Sequence, residues 1–167
     1  MVISLVMITS AVAVVRLKQS ITLLDADKAA RQVVEQLRLA RQVALDDRRN
    51  VLVEFIAPNE IKVTREDTPA PTVIYDGVLP SGYRFGLPSG AGDTPDTYGN
   101  SAAVTFNGRT SGIFQGDGIF TDEARIVLNG SVFTISGGNE TARAVTLTGA
   151  TGRMKIYSIV GSSWIAR

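Results

Sequence analysis

A run of apolar and small uncharged residues, Met1 to Val15 (MVISLVMITSAVAVV), passes without proline or glycine into a polar amphipathic segment that continues to about Asn50. No other feature restricts the possible folds as strongly. A helix that is apolar all round must be surrounded by lipid or by other apolar helices, whereas an amphipathic one needs a partner on only one face. A rod that joins the two can carry a water-exposed head while its first part sits in a membrane or in a bundle of identical rods. At about 1.5 Å per residue, an unbroken helix from Met1 to Arg49 is roughly 73 Å long, more than one head of this size can cover. The front part is expected to bury itself elsewhere, which points to a subunit that assembles.

The apolar run alone reaches roughly 22 Å, short of the ~30 Å hydrocarbon core that about 20 residues span. One reading is a cleaved secretory signal with Ala11-Val12-Ala13 as its cleavage-like triplet, leaving an exported soluble β-rich protein. No Lys or Arg precedes the run to form the basic leading region that such a signal uses. The other reading, which we expect, is that Met1 to Val15 is the inner part of a longer hydrophobic helix retained in the working protein.

Composition removes many chemistries. The 167 residues suit one domain plus an extension, and they contain no histidine and no cysteine. Ser-His-Asp and Cys-His nucleophiles, His- or Cys-based zinc sites, iron-sulfur clusters and disulfide scaffolds are therefore excluded. A net charge of +1 supplies no global attraction to nucleic acid or anionic lipid. Neither a catalytic site nor a cofactor is expected.

From Arg16 the apolar positions Leu23, Ala26, Ala30, Val33, Leu37, Ala40 and Ala44 recur every three or four residues, which predicts an amphipathic helix. Asp27 with Arg31 and Glu35 with Arg38 are spaced to pair on its solvated face. Asn50 is the expected C-terminal cap. Alternating strands then follow: Val51 to Ile56 and Glu60 to Arg65 around the turn Ala57-Pro58-Asn59, then Thr72 to Leu79, Ala103 to Phe106, Ala124 to Leu128, Ser131 to Ser136, Ala144 to Leu147, Arg153 to Ile159 and Ser163 to Ala166. Asn129-Gly130 is a tight-hairpin signal, Gly116-Asp117-Gly118 and Gly137-Gly138-Asn139 read as turns, and Leu87 to Asn100 reads as a long surface loop. The chain thus divides into a hydrophobic helical segment at 1–15, its amphipathic continuation at 16–50 and an antiparallel β head at 51–167. The expected class is α+β, with the helix's second half packed on the sheet through Leu23, Ala30, Val33 and Leu37.

With these residues in place, the chain resembles the type IV pilins and type II secretion pseudopilins, within them the minor pseudopilin H class, also called GspH/FimT-like. The resemblance lies in the helix architecture and in Leu37-Arg38-Leu39-Ala40-Arg41-Gln42-Val43-Ala44 followed by Val51-Leu52-Val53-Glu54-Phe55. It continues through Val104-Thr105-Phe106-Asn107-Gly108 and Ile126-Val127-Leu128 to Val145-Thr146-Leu147 and Gly152-Arg153-Met154-Lys155-Ile156. The family carries a short basic leader, an aromatic first mature residue and an early acidic residue, none of which is present here; by the resemblance they would precede Met1. The proline that often kinks a pilin helix is replaced by the stretch Arg16-Leu17-Lys18.

The resemblance implies a filament or pseudopilus subunit held in the bacterial inner membrane, processed by a prepilin peptidase and methylated. An assembly platform then extracts it into a periplasmic or extracellular helical filament with copies of itself and other pilins. The helix contacts would fall to Val2, Ile3, Leu5, Val6, Ile8, Val12 and Val15, with Ser4, Ser10, Ala11 and Ala13 permitting close approach. The DNA-uptake subgroup of the family has a C-terminal Gly-Arg-x-Arg motif, which Gly152-Arg153-Met154-Lys155 resembles. Arg153 and Lys155 would share one strand face and meet successive phosphates, with Arg143 and Arg167 extending the patch. The competing reading is an edge strand whose outward cations blunt aggregation. Asp93 and Asp96, in a loop with Thr94 and Thr97, are the candidate calcium ligands, although their spacing matches no EF-hand and solvated loop carboxylates are the plainer reading. Asp122 and Glu123 are adjacent and should point in different directions, so no hydrolytic pair is expected.

Overall fold

The computed structural model describes the backbone of residues 2–167 and the side chains of residues 22–167. Helix α1 (Val2–Asp47) leads the chain. Along it, Ala26, Ala29, Ala30, Val33, Leu37, Ala40 and Ala44 are fully buried on one stripe. The alanines let the backbone lie close to the sheets while keeping the highest helix propensity. Among the described side chains the stripe begins at Ala26. Leu23, expected within the stripe, lies outside it: Leu23 and its neighbour Leu24 are 40% and 61% exposed where the helix leaves the head. Among the described residues no helix is long and apolar enough to cross a membrane.

At the other end Arg48 takes the left-handed conformation (φ 51°) just past the last helical residue, the role expected of Asn50. Asn50 instead donates its side-chain amide to Glu66.

Strands β1 (Val51–Ile56) and β2 (Glu60–Arg65) pair without a break from Val51↔Arg65 to Ile56↔Glu60. Their alternation sends Val53, Phe55, Ile61 and Val63 into the core, which places Glu54, Ile56, Glu60 and Lys62 on the opposite face. With β3 (Thr72–Val78), β6 (Ser111–Phe114) and β7 (Phe120–Thr121) they form a first sheet in the order β3-β2-β1-β6-β7. The second sheet contains β4 (Arg84–Phe85), β5 (Val104–Phe106), β8 (Gly130–Ile135), β9 (Arg143–Thr148), β10 (Arg153–Val160) and β11 (Ser163–Ala166). Its main path is β11-β10-β9-β8-β4, and β5 pairs with another part of β8. The α+β architecture expected from the sequence is therefore present, with two antiparallel sheets where one was anticipated.

The helix packs on β1, β2 and β6 of the first sheet and on β8, β9 and β10 of the second. One core cluster consequently unites the helix stripe with both sheets. Phe55, Phe106, Phe120 and Phe114 run through it as a chain of rings, with centroids 5.6, 5.1 and 4.7 Å apart. A smaller core of Phe133, Ile135, Ala144, Tyr157, Ile159 and Trp164 occupies the far face of the second sheet. The loop 87–100 covers it: Ala91 packs there and Trp164 Nε1 donates to the Gly92 carbonyl at 2.9 Å.

Two expectations fail locally. Ala124 to Leu128 is not a strand; Ile126 is 60% exposed, and the segment contributes only the isolated bridge Thr121↔Val127. Asn129-Gly130 is likewise no hairpin, since Gly130 opens β8 between Phe106 and Leu147. A Cβ at Gly130 would lie 2.1 Å from the Thr105 carbonyl oxygen, so close strand approach fixes the glycine. A two-residue hairpin turn forms instead at Asn107-Gly108, with φ of 51° and 86°, where Phe106 and Arg109 exchange both backbone hydrogen bonds.

Candidate functional site

The helix is tied to the head at the level where it emerges. Arg143 belongs to the inward parity of β9, shared with Val145 and Leu147, and its side chain is 1% exposed. Its Nε donates to Asp27 Oδ1 on α1 at 2.6 Å. Three further N–H groups donate to the carbonyls of Glu140 (3.0 Å), Ala142 (2.9 Å) and Leu23 (3.4 Å). Arg167 at the chain end pairs with the other oxygen of Asp27. Tyr83 adds a bond from its hydroxyl to the Thr22 carbonyl at 2.9 Å, and burial raises its phenol above the ordinary value. Asp27 thus turns to Arg143 and Arg167 rather than to Arg31, which corrects the expected helix-surface pair.

A second polar cluster lies on the opposite face of the same sheet. Asp96 in the 87–100 loop accepts hydrogen bonds from Thr146 (2.6 Å), Tyr157 (2.8 Å) and Lys155. Burial pushes the Asp96 carboxyl up, but the bonds from Lys155, Thr146 and Tyr157 prevail and hold it below the usual carboxylate range. The hydrogen bond to Asp96, then that to Tyr157, raises Lys155. Asp93 braces the same loop by accepting the Thr94 and Gly99 amides at 2.7 and 2.9 Å. Asp93 and Asp96 therefore act as loop fasteners. Among the described residues no group of three or more acidic side chains gathers that could hold a metal ion.

These contacts also determine the state of the four cations read as a DNA patch. Arg143 is buried and cannot extend a surface patch, because its parity on β9 points it at the helix. Lys155 and Arg167 are each paired with a carboxylate. Of these four cations, Arg153 alone is exposed without an ion pair among the described residues. Asp122 is buried and accepts the Ile126 amide and an Arg109 N–H, at 2.8 and 3.3 Å, whereas Glu123 is exposed. The residues expected to make assembly contacts, Val2, Ile3, Leu5, Val6, Ile8, Val12 and Val15, with Ser4, Ser10, Ala11 and Ala13, lie outside the described side chains. The helical backbone does run through them from Val2.

The Asp96 cluster predicts a pH dependence. A carboxylate held below its unfolded value stabilises the fold fully above that value, about 3.9, and the stabilisation is lost as pH falls through the folded value. The raised Lys155 ammonium contributes below its unfolded value near 10.4 and loses that contribution as pH rises through its folded value. Asp96→Asn is expected to destabilise by about 1 to 3 kcal/mol at neutral pH. Its deficit should close below about pH 4 as the wild-type carboxyl protonates. Urea unfolding followed by Trp164 fluorescence checks this, and a deficit unchanged at acid pH rules out the ionised Asp96.

With a long helix leading into two antiparallel sheets, the head can be compared with known structures. It is similar to the minor pseudopilin EpsH of the type 2 secretion system of Vibrio cholerae, with a TM-score of 0.52 and 12% identity over 80% of this chain and 97% of that one. It is equally similar to the type IV minor pilin FimU of Pseudomonas aeruginosa strain PAO1, with a TM-score of 0.52 and 12% identity over 83% and 91% of the two chains. The fold is that of the minor pilins and pseudopilins. No family model and no curated protein matches the chain.

Proposed function

We propose that this chain is a non-enzymatic subunit of a type IV pilus or type II secretion pseudopilus, held first in the bacterial inner membrane and polymerising through its N-terminal helix. The observation that carries the reading is a single helix, Val2–Asp47, in which an apolar run continues into the stripe that forms the spine of a minor-pilin head. Likeness of fold to EpsH and FimU supports it.

The physical logic is one of exchange. Apolar side chains leave lipid without penalty only if neighbouring helices cover them, and burial of each large one away from water contributes about 1.5 to 3 kcal/mol. Copies of the chain and other pilins supply that cover in a helical filament. A prepilin peptidase would process the subunit and an inner-membrane platform would extract it.

The subunit is expected in filaments sheared from cells that produce it, with Met1 to Val15 retained when the mature N-terminus is read by mass spectrometry. A soluble protein beginning just after Ala13 and absent from the sheared fraction would overturn the reading.

A further inference from the structure

Two charged surfaces of the head face away from each other. Along one side of α1, Arg31, Arg38 and Arg41 line a groove whose other wall is β10, with Arg153, Met154 and Ile156. Two neighbouring hollows compose it, and Arg38 lines both. Arg31, Arg38 and Arg153 are exposed, and none forms an ion pair among the described residues. Arg41 donates one N–H to the Gly118 carbonyl at 3.2 Å. Asp27, which pairs with Arg143 and Arg167, lines the groove too, with Glu35 and Asp46, but the arginines outnumber these carboxylates.

On the outer face of the first sheet, Glu54, Glu60 and Asp76 surround Lys62. The register places Glu54 and Asp76 directly opposite Lys62 on either side, and Glu60 opposite Ile56 and Val78. Ile56 and Val78 are 40% and 58% exposed beside these carboxylates. The same strands send Val53, Phe55, Ile61 and Val63 inward, so the acidic face points away from α1 and its groove. One copy cannot bring its own two surfaces together.

We propose that the arginine groove of one copy docks on the acidic outer face of the first sheet of the next copy. Charge complementarity identifies the occupant as a second copy of this chain: guanidinium forks match carboxylates, and the apolar groove floor at Met154 and Ile156 matches Ile56 and Val78. The two surfaces differ, so the contact is heterologous and propagates head to tail unless a rotation closes it. It adds a head contact to the filament reading and rests on that reading only for indefinite growth.

The chain has no cysteine, so introduced thiols report the contact without background. Full-length Gln42→Cys, in the groove, is mixed with full-length Val78→Cys, on the acidic face, in mild detergent and oxidised. The mixed disulfide dimer is expected at least about fivefold above either variant with itself, because like surfaces repel. Adding Arg38→Glu and Arg153→Glu to the Gln42→Cys chain should remove the excess. Adding Glu54→Lys and Glu60→Lys to the Val78→Cys chain should then restore it. No excess of the mixed dimer, or an excess indifferent to charge reversal, overturns the proposal. Detergent replaces the helix contacts, so a mixed dimer from a chain absent in sheared filaments counts against the filament reading alone. Filaments from a chain that gives no mixed dimer count against the head contact alone.

Discussion

Asp27→Ala is expected to lower the stability of the fold by about 3 to 5 kcal/mol, the range for breaking one side of a buried ion pair. Arg143 would remain with its side chain 1% exposed, charged, and bonded only to backbone carbonyls. Against a total of about 5 to 15 kcal/mol for a domain, that loss is large. Arg167→Ala is the contrast, because Arg167 is 49% exposed and its pair with Asp27 is partly solvated; about 1 kcal/mol or less is expected. The double change Asp27→Leu with Arg143→Met should recover much of the loss, since well-packed apolar groups replace a buried pair at little net cost. Unfolding midpoints from Trp164 fluorescence, taken for all three variants in one detergent, decide the matter. A midpoint for Asp27→Ala no lower than that for Arg167→Ala would show that Arg143 does not depend on this carboxylate.

The consequence reaches beyond stability. Asp27 stands one helical turn past Leu23, whose carbonyl also accepts from Arg143, and Tyr83 fastens Thr22. The clamp therefore sets the direction in which the helix leaves the head. In a filament, that direction relates the helical core to the outer surface of heads.

What the sequence revealed and concealed follows from the range of the interactions. The helix stripe and the β1–β2 ladder depend on local periodicity, and Val53, Phe55, Ile61 and Val63 show it without help from distant residues. Strands β4 and β7 have two residues each, and a pair that short is set by the strand it meets rather than by its own pattern. The reverse error at Ala124 to Leu128 has the same origin, because strand-like residues there find no ladder beyond a single bridge.

The site was concealed more deeply. Arg143 looked like a surface cation because arginine usually is one, yet its parity with Val145 and Leu147 was visible and pointed inward. Asp27 lies 116 residues away in sequence, and nothing near it announces the partner. Lys155 matched a basic motif, while the carboxylate that neutralises it sits in a loop 59 residues earlier. Motif spacing registers which cations share a strand face; only the folded chain shows which of them are already paired.

Val6→Asp is expected to abolish filament assembly while leaving the head as stable as before. A charged side chain at the centre of a bilayer costs about 2.5 to 3.5 kcal/mol on insertion scales, and in a bundle of apolar helices it would also lack a partner. Ala26, the first buried residue of the stripe among the described side chains, lies roughly 30 Å further along the helix, and every described core contact lies beyond Val6. Retained unfolding by Trp164 fluorescence, together with loss of the subunit from sheared filaments, would separate assembly from folding. Filaments formed normally by the Val6→Asp chain would remove the apolar run from the assembly and return it to the role of a cleaved export signal.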